Sequence, residues 1–353
     1  MVPVAILLGA HPGWTEHHYS RTLYPVWQTL MGGLSSLIPF PLAELCLVAL
    51  LAWVLFVLIR GCIRCLHPSE RYPRKTFLRR VGLFLAKLCA LISLIIAMFL
   101  LFWGFNYQRQ SWALNHGWKA TGGSHTQLVA LARRLAIDLA ADRATLPESP
   151  GGSALAREGT WTSDALLQRV NQAWDALSAS DVVLLPHSVG AKRFIGSDLM
   201  SAFSIGGVYI PWTGEALVNA GPADFTVPFS AAHEIAHQRG WAREDEANFL
   251  AFLVLRGSPD PDLRYAGEAS AFLYVASALQ GLSESELAEL RSLLPDGFRR
   301  DRQALDRYWS AWRGPLAAAG TAINDHYLKA QGQGEGVKSY GRMVDLLLAW
   351  NRR

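Results

Sequence analysis

The residues best equipped for chemistry are His233-Glu234-Ile235-Ala236-His237. Two histidines four apart on a helix project from one face and can ligate a single ion. The glutamate between them is, in a motif of this kind, not a ligand but the base that takes a proton from water at the metal. Ala231, Ala232, Ile235 and Ala236 are small or apolar, as a buried helix requires, and Pro228 and Gly240 bracket the run as its start and stop. A catalytic zinc site uses three protein ligands and keeps a fourth position open. The next segment, Arg243 to about Leu255, reads as a second helix carrying Glu244 and Glu246. These lie about 200° apart around the helix and cannot both face one ion. Glu244 is preferred as third ligand because Asn248, four residues on, shares its face and can hydrogen-bond a ligating histidine. Glu246 is the alternative. Two imidazoles and a carboxylate favour Zn²⁺. One detail departs from the usual pattern: Arg239 stands where a hydrophobic residue is common.

Amide hydrolysis also calls for a donor to the oxyanion. Tyr265, Tyr274, Arg264 and His187 are candidates, and spacing selects none of them. The alternating segment Ile205 to Ile210, ended by Pro211, is the one convincing strand and can offer its edge to an extended peptide. Glu215 reads as solvated. His11, His17 and His18 read as part of a solvated amphipathic segment, not as a metal site.

These residues must be positioned by a chain of 353 residues that is 51% hydrophobic and only 18% charged, too apolar for an ordinary soluble protein. Two stretches, about Leu42 to Ile59 and Val81 to Phe105, are long and apolar enough to span a bilayer. The loop between them carries Arg60, Arg64, Arg71, Arg74, Lys75, Arg79 and Arg80 against Glu70. The positive-inside rule puts that loop, 60–80, in the cytoplasm and the rest of the chain outside it. Val2 to Ala10 is apolar but too short to span, and reads as a signal-like segment or the remnant of a further helix. The expected organisation is therefore an N-terminal extracytoplasmic segment (1–41), a transmembrane hairpin (42–105) and an extracytoplasmic domain (106–353) at the cell membrane. The net charge of +4 is small and no RNA-binding or zinc-finger pattern occurs, which argues against nucleic acid as a partner. Membrane lipid and a peptide or protein substrate are the expected partners. The four cysteines, Cys46, Cys62, Cys65 and Cys89, all lie in the apolar N-terminal third, so a disulfide scaffold is not expected.

The outer domain reads as mainly α with a small sheet. Helices are expected at Gln127 to Ala141, Ser163 to Leu177, from a capping box at Ser283 through Leu294, Phe298 to Ala319 and Tyr340 to Trp350.

The segment His233 to Ala251, HEIAHQRGWAREDEANFLA, resembles the DUF3810 family of bacterial membrane proteins. So do Tyr24-Pro25, Ile38-Pro39-Phe40, Trp103 to Tyr107, Gly206 to Glu215, Arg264-Tyr265, Asn324 to Tyr327 and Ser339 to Gly341. Glu244-x-x-Ala247-Asn248 also resembles the third-ligand element of zincin peptidases. The resemblance implies a zincin-like fold, a third ligand at Glu244, a further N-terminal helix and no defined substrate. It also places Tyr265 first among the oxyanion candidates. The chemistry so assembled is that of a membrane-bound zinc peptidase. The alternatives are a zinc amidase or esterase on a non-peptide substrate and a non-catalytic zinc-stabilised scaffold.

Overall fold

The computed structural model describes all residues except 1–9, 67–73, 121, 158–159, 182, 185–188, 223 and 353. His187 and nearly all of Val2 to Ala10 therefore lie outside the described residues, as does part of the basic loop. The chain is mostly helical with one three-stranded sheet and two long apolar helices near its start.

A helical run, Pro12–Thr15 and then Glu16–Leu23 wound as a π-helix, leads into α1 (Tyr24–Ser36). The two long helices follow: α2 (Leu42–Leu66) and α3 (Arg74–Phe102). Within them, Leu42–Arg60 and Val81–Phe102 are long and apolar enough to cross a membrane, and no part of either stretch is buried in the protein. The second stretch ends three residues before the expected Phe105, because Gly104–Gln108 turns into a 3-10 helix.

The longer helices that follow are α4 (His125–Arg143), α5 (Asp164–Ser180), α6 (Thr226–Gln238), α7 (Glu244–Arg256), α8 (Pro261–Ala278), α9 (Glu284–Leu293), α10 (Asp296–Ala311), α11 (Pro315–Ala330) and α12 (Met343–Asn351). The capping box expected at Ser283 is present, and a second opens α4 at Ser124. The single helix expected from Phe298 to Ala319 is two, because Gly314-Pro315 interrupts it and proline is best placed at a helix start. Helix α8 was not anticipated. It is buried on most sides, with Leu263, Tyr265, Ala266, Ala269 and Ala271 enclosed, so its apolar residues show no clean one-sided period.

The sheet has β1 (Ala191–Phe194), β2 (Gly207–Ile210) and β3 (Glu215–Asn219) in the order β1-β3-β2. β1 runs parallel to β3 and β2 antiparallel to it, with Tyr209 opposite Ala216 and Gly207 opposite Val218. β3 is central and buried at every position, so it lacks the alternation that betrays a half-exposed strand. β2 is an edge. Helix α6 packs against the sheet on one side and against α5, α7 and α8 on the other. One core joins these elements through Trp174, Ala216, Val218, Ala232, Ile235, Phe249 and Tyr265.

Glu215 corrects an expectation. It is 1% exposed, and its two carboxylate oxygens accept the Leu42 and Ala43 amides at 2.9 and 2.8 Å while Lys192 pairs with it at 2.9 Å. A carboxylate at a helix N-terminus satisfies donors that have no partner within the helix. Glu44 acts in the opposite direction, accepting the Ile195 and Gly196 amides at 3.0 and 2.8 Å. The start of α2 is thus fixed to the sheet from both sides.

Candidate metal centre

Helix α6 starts with Pro228 in its first turn and ends at Gly240, whose φ of +86° favours glycine. A Cβ there would lie 2.9 Å from the Tyr24 ring. The reversal sends the chain back so that the Trp241 carbonyl accepts from His237 Nδ1 at 2.7 Å. Arg109 secures this turn. It donates to the Gly240 carbonyl at 2.9 Å, lies 3.6 Å over the Trp241 ring and pairs with buried Glu16 at 2.7 Å. Burial alone would raise the Glu16 carboxyl, but Arg109 and Arg21 beside it hold it below its usual range. Glu16 is therefore occupied by arginine and does not join His17 and His18, which are exposed. Arg239 is fully buried, donates to Ser178 at 2.5 Å and Asp175 at 2.7 Å, and lies 5.0 Å over Trp174. These partners explain a cation at a position usually hydrophobic.

The structure brings His233, His237 and Glu244 together, with one ligand atom from each within 4.8 Å of the others. All three are buried. Glu244 opens α7, and its Oε2 lies 3.1 Å from His233 Nε2 and 3.5 Å from His237 Nε2. That oxygen is buried and close enough to pair with both rings, yet it is not aligned as a hydrogen bond to either. The Nδ1 atoms face the other way: His233 Nδ1 donates to Asn248 Oδ1 at 2.8 Å, as His237 Nδ1 does to Trp241. With Nδ1 donating, each Nε2 could offer a lone pair to the shared point once any proton it shares with Glu244 is displaced. A buried carboxylate oxygen shared between two oriented imidazoles fits a divalent ion of the zinc type. Burial opposes both charges of the Glu244–His237 pair. Their proximity outweighs it, lowering the Glu244 carboxyl and raising the His237 imidazole.

Glu234 is buried beside the cluster but is not part of it. Burial raises its carboxyl above the usual range, against the pull of His233 and His237, and the Tyr209 amide donates to it. Gly207 makes room for it: a Cβ at that position would sit 2.6 Å from Glu234 Oε1.

Glu246 is placed elsewhere. It accepts the Trp112 amide at 2.6 Å and pairs with Arg243 at 2.8 Å, which fixes the loop before α4 to α7. The opposition of Glu244 and Glu246 around the helix is the geometry the sequence implies. Tyr265 is not brought to the cluster and corrects the first choice of oxyanion donor. It is fully buried with its hydroxyl on Asp301 at 2.5 Å, beside Arg143. Arg264 is likewise engaged, with Asp142 at 2.6 Å.

A cleft of about 680 Å³ opens onto His233, Glu234 and Asn248. Its walls include β2, Phe229, Tyr274, Phe99, Trp103 and Tyr327. Tyr274 hydrogen-bonds Asn248, and its hydroxyl is pushed up to about 12, by burial first and then by the Glu244 charge. Sequence reasoning had Tyr274 among its candidates but had no means of choosing it, and it missed Tyr327. The signal for Trp103 and Tyr327 lay only in the resemblance. A second cleft of about 740 Å³, lined by Pro39, Asp164, Lys192 and Arg193, lies apart from the cluster.

No curated protein and no solved structure matches the chain. Residues 19–348 match the family described as "Protein of unknown function (DUF3810)", and the chain belongs to that family.

Proposed function

We propose that this protein is a membrane-anchored zinc metallohydrolase acting on peptide or protein substrates. The observation that carries this reading is the convergence of His233 Nε2, His237 Nε2 and Glu244 Oε2 on one buried point, with Glu234 beside it in an open cleft. His233, His237 and Glu244 would hold a zinc ion, which would supply Lewis acidity for activating water and polarising a carbonyl.

The chain's own groups do the rest. Glu234, whose burial at the cleft wall raises its carboxyl, accepts the proton of the attacking water and returns it to the leaving amine. Tyr274, at the cleft wall beside Asn248, donates to the developing oxyanion. The edge strand β2 lines the cleft, and an extended substrate backbone could pair with it beyond the Tyr209 amide that Glu234 accepts. A helix carrying His233 and His237 beneath a small sheet, with an edge strand along the cleft, supports a zincin-like fold. The mostly exposed apolar side chains of Leu42–Arg60 and Val81–Phe102, with the basic loop between them, support anchoring with the outer domain beyond the cytoplasmic face. The scaffold alternative has less support, because a structural site is usually closed by a fourth side chain and has no use for a buried glutamate at its opening.

The test is hydrolysis of a quenched fluorescent peptide library by zinc-loaded, detergent-purified protein. Turnover should vanish with a chelator, return with zinc and be absent in Glu234→Gln. Metal-loaded wild type no faster than Glu234→Gln would refute the reading.

A further inference from the structure

We infer that the cleft takes polypeptide presented by the bilayer: a chain tethered by an apolar segment and bound within a few residues of where it leaves the membrane. The inference deepens the proposed function and rests on it.

Three observations place the cleft at the end of the second apolar stretch. Phe99 belongs to Val81–Phe102 and lines the same cleft as His233 and Glu234. Trp103, the first residue after α3, is buried edge-on against the His237 ring at 5.9 Å and against Tyr209 at 4.8 Å. One indole therefore separates the end of the apolar helix from a metal-ligating imidazole.

The edge strand runs between the same two points. Trp27 stacks on Phe102 at 3.7 Å and donates to the Pro211 carbonyl at 3.1 Å, so the far end of β2 is fixed beside the end of α3. At the other end, Gly207 abuts Glu234. Four residues of strand cover roughly 13 Å. A chain paired along this edge would pass from the membrane boundary to the glutamate in about that distance.

The surface around the helix ends is apolar. Ile195, 74% exposed, sits over the start of α2, where its amide is held by Glu44. Trp212 is exposed beside Pro211, and Ile323 is 66% exposed at the cleft rim. Leu23, Val26, Leu30, Leu34 and Leu37, three or four residues apart along α1, are also exposed. Such a collection on a water-soluble face is unusual, whereas tryptophan and an amphipathic helix are at home in the headgroup region.

The experiment uses zinc-loaded full-length protein with Cys46, Cys62, Cys65 and Cys89 replaced by serine, in vesicles of phosphatidylethanolamine and phosphatidylglycerol. Nitroxide labels go on Ile323→Cys, on Trp212→Cys and, as a distant control, on Leu287→Cys in α9. Power saturation should show the labels at 323 and 212 more accessible to oxygen than to a nickel chelate, with the reverse at 287. Equal behaviour at 323 and 287 would overturn the inference, independently of any activity. In the same vesicles, a randomised quenched peptide joined to a transmembrane segment should be cleaved about tenfold or more faster than the free peptide, through confinement at the surface. Equal rates would also overturn the inference. Cleavage of neither peptide by metal-loaded protein would instead overturn the hydrolase reading, and the accessibility contrast would then decide where the cleft lies.

Discussion

Replacing Asn248 by alanine removes the acceptor for His233 Nδ1 without touching a ligand atom. The hydrogen bond is 2.8 Å long, and both residues are largely buried where they line the cleft. The imidazole then loses the contact that keeps its proton on Nδ1 and its Nε2 lone pair toward the cluster. Tyr274 loses the same partner. An unmet buried donor costs about 1–3 kcal/mol. Removing the outer partner of a ligating histidine typically lowers metal affinity by about 10- to 100-fold, close to 1.4–2.7 kcal/mol. The two estimates agree, so zinc affinity in Asn248→Ala should fall by about 10- to 100-fold. Asn248→Asp retains an acceptor and should stay within a few-fold of wild type. His237 offers no equivalent test, because its Nδ1 partner is the Trp241 backbone. The assay is competition against a chromophoric chelator at pH 7, with circular dichroism to show that each variant is folded. A folded Asn248→Ala that binds zinc within twofold of wild type would refute the argument that this contact orients His233.

Further predictions bear on other parts of the structure. Gly207→Ala puts a methyl group where the Glu234 side chain lies, so it should leave zinc content intact and lower turnover by about 10²-fold or more, the scale of a misplaced general base. Unchanged turnover would show that Glu234 is not held as described. Glu246→Gln should keep its zinc and lose stability through the Arg243 and Trp112 contacts, by about 1–3 kcal/mol in urea unfolding, whereas Glu244→Gln should lose zinc. Glu268 supplies a pH signature. Burial, reinforced by Asp142 and Asp138 against the pull of Arg256, pushes its carboxyl up to about 8. Between its ordinary value and about 8 the folded state holds a proton that the unfolded chain has released. Its contribution is therefore full at low pH and is lost as pH rises to about 8. Glu268→Gln should lose less stability than wild type between pH 5 and pH 9 in urea titrations, and parallel losses would refute the assignment. Reporter fusions at Ser69 and after Arg353 should report opposite sides of the membrane, and a cytoplasmic C-terminus would contradict the proposed topology.

The clustering of His233, His237 and Glu244 was largely legible in the sequence because its geometry is local. A four-residue spacing fixes His233 and His237 on one face, and the same rule applied to α7 separates Glu244 from Glu246 before any contact is known. The two apolar stretches were legible because lipid-length runs need no tertiary partner. What could not be read depends on distant packing. β3 is enclosed on every side and so has no alternation, and β1 (Ala-Lys-Arg-Phe) is too polar and short to announce a strand. Glu215 looked like a surface acid because nothing in its neighbourhood names the Leu42 and Ala43 amides, 173 and 172 residues earlier, that it caps. Tyr265 and Tyr274 sit on the same helix, and only the packing of α8 decides that one hydroxyl meets Asp301 and the other meets Asn248. The cleft wall is the clearest case. Phe99 and Trp103 belong by sequence to the end of an apolar helix, and only the fold sets them against His237.

The central claim is that His233, His237 and Glu244 hold a zinc ion while Glu234 does not. It is tested most directly by mass-spectrometric metal content of detergent-purified wild type, His233→Ala and Glu234→Gln. One zinc per chain is expected in wild type and in Glu234→Gln, and its loss in His233→Ala. Wild type that carries no metal after zinc is supplied, or His233→Ala that keeps it, would contradict the account.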